Sequence, residues 1–141
     1  WAGAWLVFFP LVITWVCDTA AMFAGKAIGG KKLWPAISPG KTWSGSIAGV
    51  VFAMVTVPVL NLAVMDRLGI ALPLGQGLLF GLVLGIIGQV GDLAESLYKR
   101  EVGVKDSSAL IPGHGGVLDR FDSLYFVLPV SAALYRLFGV Q

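Results

Sequence analysis

The stretch Ser96 to Asp122 reads SLYKREVGVKDSSALIPGHGGVLDRFD, a charge-dense run in a chain that is otherwise largely apolar. Asp106, Asp119 and Asp122 alternate there with Lys99, Arg100, Lys105 and Arg120, and Gly113, Gly115 and Gly116 surround the chain's single histidine, His114. Each residue type has a use in phosphate chemistry. Carboxylates hold a hard divalent cation, lysine and arginine neutralise phosphate oxygens, and glycine lets backbone N–H groups approach an anion closely. One histidine and one cysteine, Cys17, are too few for a zinc site. A metal here must be oxygen-bound, which favours Mg²⁺.

Three further acids, Asp18, Asp92 and Glu95, interrupt apolar segments, where an ionisable group is costly enough to be functional by default. Asp18 stands eight residues before Lys26, and Asp92 eight before Arg100. At ~1.5 Å per helical residue, each carboxylate lies about 12 Å inward of its base. Asp92, Glu95, Ser96 and Lys99 follow i, i+3, i+4, i+7 spacing and share one helical face. For Asp18, polar pairing between helices is an equal alternative; the Asp92 face runs directly into the charged segment and favours a site. Asp119 and Asp122 fall at the start of the last apolar stretch, where acids also suit the helix dipole. Asp119 beside Arg120, with Asp92 opposite, forms a pair of carboxylates able to bind Mg²⁺ near phosphate-binding cations.

These residues must be positioned by membrane helices. The 141 residues are 57% hydrophobic and only 13% charged, with a mean hydropathy of +0.84; a soluble domain carries roughly 25% charged residues. Trp1–Ala24, Ser44–Met65, Leu78–Tyr98 and Phe121–Val140 are each long enough to cross a hydrocarbon core of about 30 Å. The expected fold is therefore an all-α, polytopic bundle of about four spans, with residues 1–141 as one domain. Gly81, Gly85 and Gly88 suit close helix packing in lipid. Residues 25–43 carry Lys26, Lys31, Lys32 and Lys41, and residues 99–120 carry the second basic group, whereas residues 66–77 hold one base, Arg67. Both basic loops belong on one face, cytoplasmic by the positive-inside rule, with Trp34 and Trp43 at the interface.

Several familiar motifs are excluded. Gly40-Lys41-Thr42 lacks the earlier glycine of a phosphate-binding loop, since position 35 is Pro, and no strand is expected before it. Gly113-His114-Gly115 lacks the third glycine of a dinucleotide fingerprint, because position 118 is Leu. No Ser/His/Asp triad stands out, and the few bases flank spans rather than forming a nucleic-acid surface.

The segment resembles the C-terminal signature of the phosphatidate cytidylyltransferase, or CDP-diacylglycerol synthase, family. The pattern is filled by Ser96, Lys99-Arg100, Lys105-Asp106, Pro112-Gly113-His114-Gly115-Gly116, Asp119-Arg120 and Asp122. Gly91-Asp92 matches the acid before it. Leu33, Pro35, Ser38-Pro39 and Lys41-Thr42 look like the family's second cytoplasmic loop, and Asp18 like its acid in the preceding helix. Gly40 stands where the family usually has a base, and Ser44 where it has an acid, which leaves the role of residues 38–44 open. The family has further spans before the point where Trp1 begins, so the expectation is the C-terminal half of a longer enzyme.

The resemblance implies that CTP and phosphatidic acid react to CDP-diacylglycerol and pyrophosphate, in an integral membrane protein (of the cell membrane if bacterial). It implies Asp92 and Asp119 as Mg²⁺ ligands with Asp122 or Asp18 as secondary ones, and it allows a second cation. Lys99, Arg100, Lys105 and Arg120 would neutralise phosphate; Ser38, Lys41, Thr42, Ser96, Asp106, His114, Gly115 and Gly116 would contact substrate. The bilayer is a partner, nucleic acid is not, and a homodimer is left open. Two alternatives are a CTP-dependent kinase of a polyprenol-type lipid and, further off, a non-catalytic ion pathway.

The two-sided charge pattern predicts the topology. With Cys17 replaced by Ser, a cysteine introduced at Lys32 or Ser107 should react with an impermeant thiol reagent only from the cytoplasmic side. One at Gly69 should react only from the other. Labelling of positions 32 and 107 from opposite faces would contradict a shared site.

Overall fold

A computed structural model describes residues 2–103 and 123–140 of the chain. Helix α1 (Ala2–Ile28) leads into a short antiparallel hairpin, β1 (Lys32–Trp34) and β2 (Ser38–Thr42). Helix α2 (Trp43–Leu60) continues through a π-helical turn (Asn61–Met65) into the short α3 (Asp66–Leu68). Helices α4 (Leu74–Val102) and α5 (Leu124–Phe138) complete it. Three helical stretches, Gly3–Ile28, Trp43–Leu68 and Leu74–Val102, are long and apolar enough to cross a membrane, and α5 is a shorter apolar helix. The protein is an all-α integral membrane bundle with a small hairpin at one end.

The helices run up and down. Gly45 meets Ala21 and Gly25 across the α1–α2 seam, and Gly49 meets Cys17. Gly77 faces Val57, Gly81 faces Ala53, and Gly85 faces Val50 across the α2–α4 seam, so the partners run in opposite directions along the two helices. Gly91 packs on Phe126 and Gly88 on Val127 of α5. Lipid tails are as apolar as leucine, so helices in a bilayer associate through close packing rather than through the hydrophobic effect. The missing side chains have a definite use. A Cβ on Gly45 would lie 2.5 Å from the Ala21 carbonyl oxygen, and one on Gly81 2.7 Å from that of Ala53.

Away from the hairpin, larger side chains fill the centre. Phe9 of α1, Phe80 of α4 and Tyr135 of α5 stack in a tilted series, with ring centroids 5.5 and 5.0 Å apart. Ile13, Val57, Leu84 and Val127 are fully or almost fully buried around them. Trp15, Phe23, Val51, Phe52, Val55 and Ile86 point outward, as a lipid-facing surface requires. Pro58 and the π-helical turn after it end the regular part of α2. Asn61 of that turn holds the following loop, its Nδ2 donating to the Leu72 carbonyl at 2.8 Å and its Oδ1 accepting from the Leu72 N–H at 3.4 Å.

Boundaries differ from expectation at the hairpin end in particular, where α1 runs past Ala24 to Ile28 and carries Lys26 in its last turn. Residues 32–42, read as loop, form the hairpin; the turn into it uses Gly29 and Gly30, whose φ values of 65° and 101° suit glycine. Helix α4 does not stop near Tyr98 but runs to Val102, so Lys99 and Arg100 belong to its last turn, where cations meet the carbonyl end of the helix dipole.

Packing by glycine has a measurable consequence. Gly81→Ala should lower thermal stability in detergent by about 1–3 kcal/mol, because its methyl group meets fixed backbone. Gly75→Ala, with nothing within 4 Å of the new atom, should be neutral or slightly stabilising. Equal melting of the two variants would contradict the α2–α4 seam.

Candidate functional site

A cavity of ≈ 540 Å³ opens where α1, α2, α4 and the hairpin meet. Helix α1 supplies Asp18, Met22, Gly25 and Lys26 to its wall; the hairpin supplies Lys32, Ser38, Gly40, Lys41 and Thr42. Ser46 comes from the first turns of α2, and Gln89 and Asp92 come from α4. Three cations, two carboxylates and several neutral polar groups thus share one concave surface. Its volume lies within the range of about 300–1,000 Å³ usual for small-molecule sites.

The hairpin is tied down by its own side chains. Thr42 caps α2, its Oγ1 accepting from the Gly45 N–H at 3.1 Å, and an N-cap hydroxyl satisfies one of the helix's orphan donors. Ser44 donates to the Gly29 carbonyl and lies 3.1 Å from the Thr42 hydroxyl. The Trp43 N–H donates to the Lys31 carbonyl at 3.1 Å, closing the hairpin base. From this frame Lys41 reaches across the cavity and forms an ion pair with Asp92 of α4. Both side chains keep a quarter to a third of their exposure (24% and 34%), so the pair lines the cavity rather than being sealed beneath it.

Of the residues singled out in the sequence, Ser38, Lys41, Thr42, Asp18 and Asp92 are brought together here. Ser96, Lys99 and Arg100 lie further along α4 and do not line the cavity. Lys99 pairs with Glu95 one turn back at 3.5 Å, an i,i+4 contact on the helix surface. Lys105, Asp106, His114, Gly115, Gly116, Asp119, Arg120 and Asp122 lie outside the described residues. Among the described residues no group of three or more His, Cys, Asp or Glu side chains could hold a metal. Asp18 of α1 and Asp92 of α4 are the two described carboxylates that line the cavity, and Mg²⁺ is commonly held by one or two carboxylates with water and phosphate completing its shell.

Sequence reasoning passed over Gln89, and it read Lys26 and Lys32 as marks of topology rather than as site residues. Gln89 precedes Asp92 by three residues and so shares its helical face, a polar group in an apolar span that the spacing rule alone picks out. Its Nε2 donates to the Ser46 carbonyl at 2.9 Å and faces the Cys17 sulfur at 3.7 Å, joining α4 to α2 and α1. Gly40, where a base was expected, lines the cavity with open space beyond its Cα, so a longer side chain fits there without clash.

Comparison with known proteins identifies the lineage. Residues 1–138 match the model of the family described as "Cytidylyltransferase family". A phosphatidate cytidylyltransferase of Bacillus subtilis (strain 168) is 44% identical over 137 residues, covering 97% of this chain and 49% of the relative. One from Staphylococcus aureus (strain COL) is 46% identical over 129 residues, covering 91% of this chain and 48% of the relative. The chain thus spans about half the length of the curated relatives it matches. By a match over nearly its whole length, the chain belongs to the cytidylyltransferase family.

Proposed function

We propose that the protein carries the catalytic part of a phosphatidate cytidylyltransferase, which transfers the cytidylyl group of CTP to phosphatidic acid and releases pyrophosphate. The observation that carries this reading is the Lys41–Asp92 pair in a cavity that also holds Asp18, Lys26 and Lys32, within a chain of that family. A nucleotide and a lipid phosphate bring several negative charges into one place. Cations on the wall would offset them, and the carboxylates would hold a divalent cation that adds further positive charge.

In the proposed reaction a phosphate oxygen of the lipid bonds to the α-phosphorus of CTP, and the bond from that phosphorus to the β-phosphate oxygen breaks. Pyrophosphate leaves with the electron pair. The attacking oxygen is already anionic at neutral pH, so no side chain has to remove a proton. Alignment and charge neutralisation then supply the rate. Lys41, Lys32 and Lys26 hold phosphate oxygens at the rim, with Lys105 and Arg120 added on the strength of their place in the signature. Asp92, with Asp18 of α1 in the same cavity and Asp119 and Asp122 from the signature, would hold Mg²⁺, which when bound would draw electron density from the phosphates. The lipid phosphate enters at the interface marked by Trp34 and Trp43, while its acyl chains stay in the bilayer. In this reading the cavity end faces the cytoplasm, as the basic segments favour.

Labelled CTP separates this transfer from phosphorylation of a lipid alcohol. Label at the α-phosphorus should enter the lipid, and label at the γ-phosphorus should leave as pyrophosphate. γ-Label in the lipid with release of CDP would overturn the proposal in favour of a lipid kinase. Asp92→Asn should keep the fold and reduce turnover by about 10²-fold or more, the scale of losing a preorganised electrostatic group. Retention of full turnover at ordinary Mg²⁺ would remove Asp92 from the site. Arg120→Lys keeps the charge but loses the planar fork suited to phosphate oxygens, and should slow turnover while leaving the melting temperature unchanged.

A further inference from the structure

Gln89 is the neutral polar side chain that α4 contributes to the cavity, one helical turn inward of Asp92. Its amide is fixed at one end. Nε2 donates to the Ser46 carbonyl at 2.9 Å and lies 3.7 Å from Cys17 Sγ. It also faces the bare Cα of Gly49, where an added Cβ would lie 3.1 Å away. The amide cannot turn over, because that would set Oε1 against the Ser46 carbonyl, acceptor against acceptor. Gln89 lines the cavity, and the amide end not held by Ser46 is Oε1, a neutral acceptor.

Its place in the cavity suits one part of a nucleotide. The cations Lys26, Lys32 and Lys41 come from the end of α1 and from the hairpin, which form the rim. Ser46, to which Gln89 is tied, stands three residues into α2, about 4.5 Å below Trp43. The rim is therefore cationic, and the floor sets the neutral hydrogen-bonding groups of Gln89 and Ser46 near Asp18, the residue after Cys17, a level that favours a base over phosphate. A nucleoside triphosphate placed with its phosphates at the rim puts its base at the floor. Cytosine and uracil differ there in sign. Cytosine carries an exocyclic amino group that donates, and uracil carries a carbonyl oxygen that accepts. A rotatable amide would serve both bases; a pinned one serves the donor alone.

Resting on the proposed use of CTP, we infer that Gln89 is the residue that reads the base: its Oε1 accepts from the exocyclic amino group of cytosine and turns uracil away. Ser46 and Cys17 are then positioning groups, which keep the amide from flipping. A site built around a hydrogen bond discriminates well, because the wrong base leaves a desolvated acceptor unpaired.

The test compares CTP, UTP and N4,N4-dimethyl-CTP, whose amino group has no hydrogen to donate. With the wild-type protein in liposomes containing phosphatidic acid, CTP should exceed both analogues in kcat/KM by at least about tenfold. In Gln89→Leu the three nucleotides should become similar, through loss of CTP turnover rather than gain by the others. A wild-type protein that uses dimethyl-CTP as well as CTP, or a Gln89→Leu variant that keeps the wild-type preference, would overturn the inference. A photoreactive aryl azide on N4 of CTP gives a second measurement that needs no variant. Adducts should map to α4 around Gln89 or to α2 around Ser46, and adducts confined to the hairpin would contradict the proposed orientation. If CTP binds without cytidylyl transfer, the reaction proposal falls, and the Kd ratio of CTP to UTP in wild type and Gln89→Leu decides the base-reading role alone.

Discussion

A carboxylate on a membrane-spanning helix must meet a cation or water, and in this protein Asp92 meets Lys41. The two residues come from different kinds of structure. Asp92 is carried by a helix of 29 residues, and Lys41 by a five-residue strand outside the spans. Their pairing requires the hairpin to fold back over the bundle. That in turn requires α1 to end at Gly29 and Gly30, and Thr42 to start α2 within hydrogen-bonding reach of Gly45. The ion pair is best understood as a ground state. Truncating one partner would leave the other uncompensated, whereas in the proposed reaction an arriving anion and a divalent cation would offer each a new partner of opposite sign.

The cavity needs walls that are close at one level and apart at the next. Glycines draw α1 and α2 together at Gly25, Gly45 and Gly49, and draw α2 and α4 together from Gly77 to Gly85. Beyond Gly85 the polar residues Gln89 and Asp92 replace the glycine contacts on α4, and the three helices stand around the cavity. The aromatic series Phe9, Phe80 and Tyr135 closes the opposite end. The packing is thus graded along the bundle axis, from filled to open, and the polar end is the one beside the basic hairpin.

The spans were readable because ~20 apolar residues in a row leave few other structures for the chain. The convergence of Asp18 and Asp92 was also readable, because helical rise is constant and the two acids have matching distances to the bases at their helix ends. The hairpin was not. Residues 32–42 contain Pro35, Pro39 and Gly40 and lack the alternation of a strand, and they pair only because the flanking helix ends are fixed close together. The long run of α4 past Tyr98 was hidden for a related reason: charge marks the membrane boundary, whereas helix geometry continues into water until Gly103 adopts a left-handed conformation. Gln89 escaped notice because an uncharged amide in a span does not mark a site as an ionisable group does. Its spacing to Asp92 was the available signal.

The proposed transfer makes sense of a site in which lysines and carboxylates share one cavity. A lipid alcohol attacking a phosphate has to lose a proton, and a cavity serving it would set a proton acceptor apart from the cations. Here the Asp92 carboxylate is engaged by Lys41 rather than set apart from the cations. A phosphate attacking a phosphate presents the opposite difficulty, because two anions must approach. The rim lysines answer that difficulty directly, each cation lowering the repulsion between lipid and nucleotide more strongly in a partly dehydrated cavity than it would in water. Placing this chemistry just inside the interface also shortens the path of the lipid. In the proposed reaction its phosphate would reach the lysines while its chains remain in the bilayer, so the hydrocarbon would not have to leave the membrane.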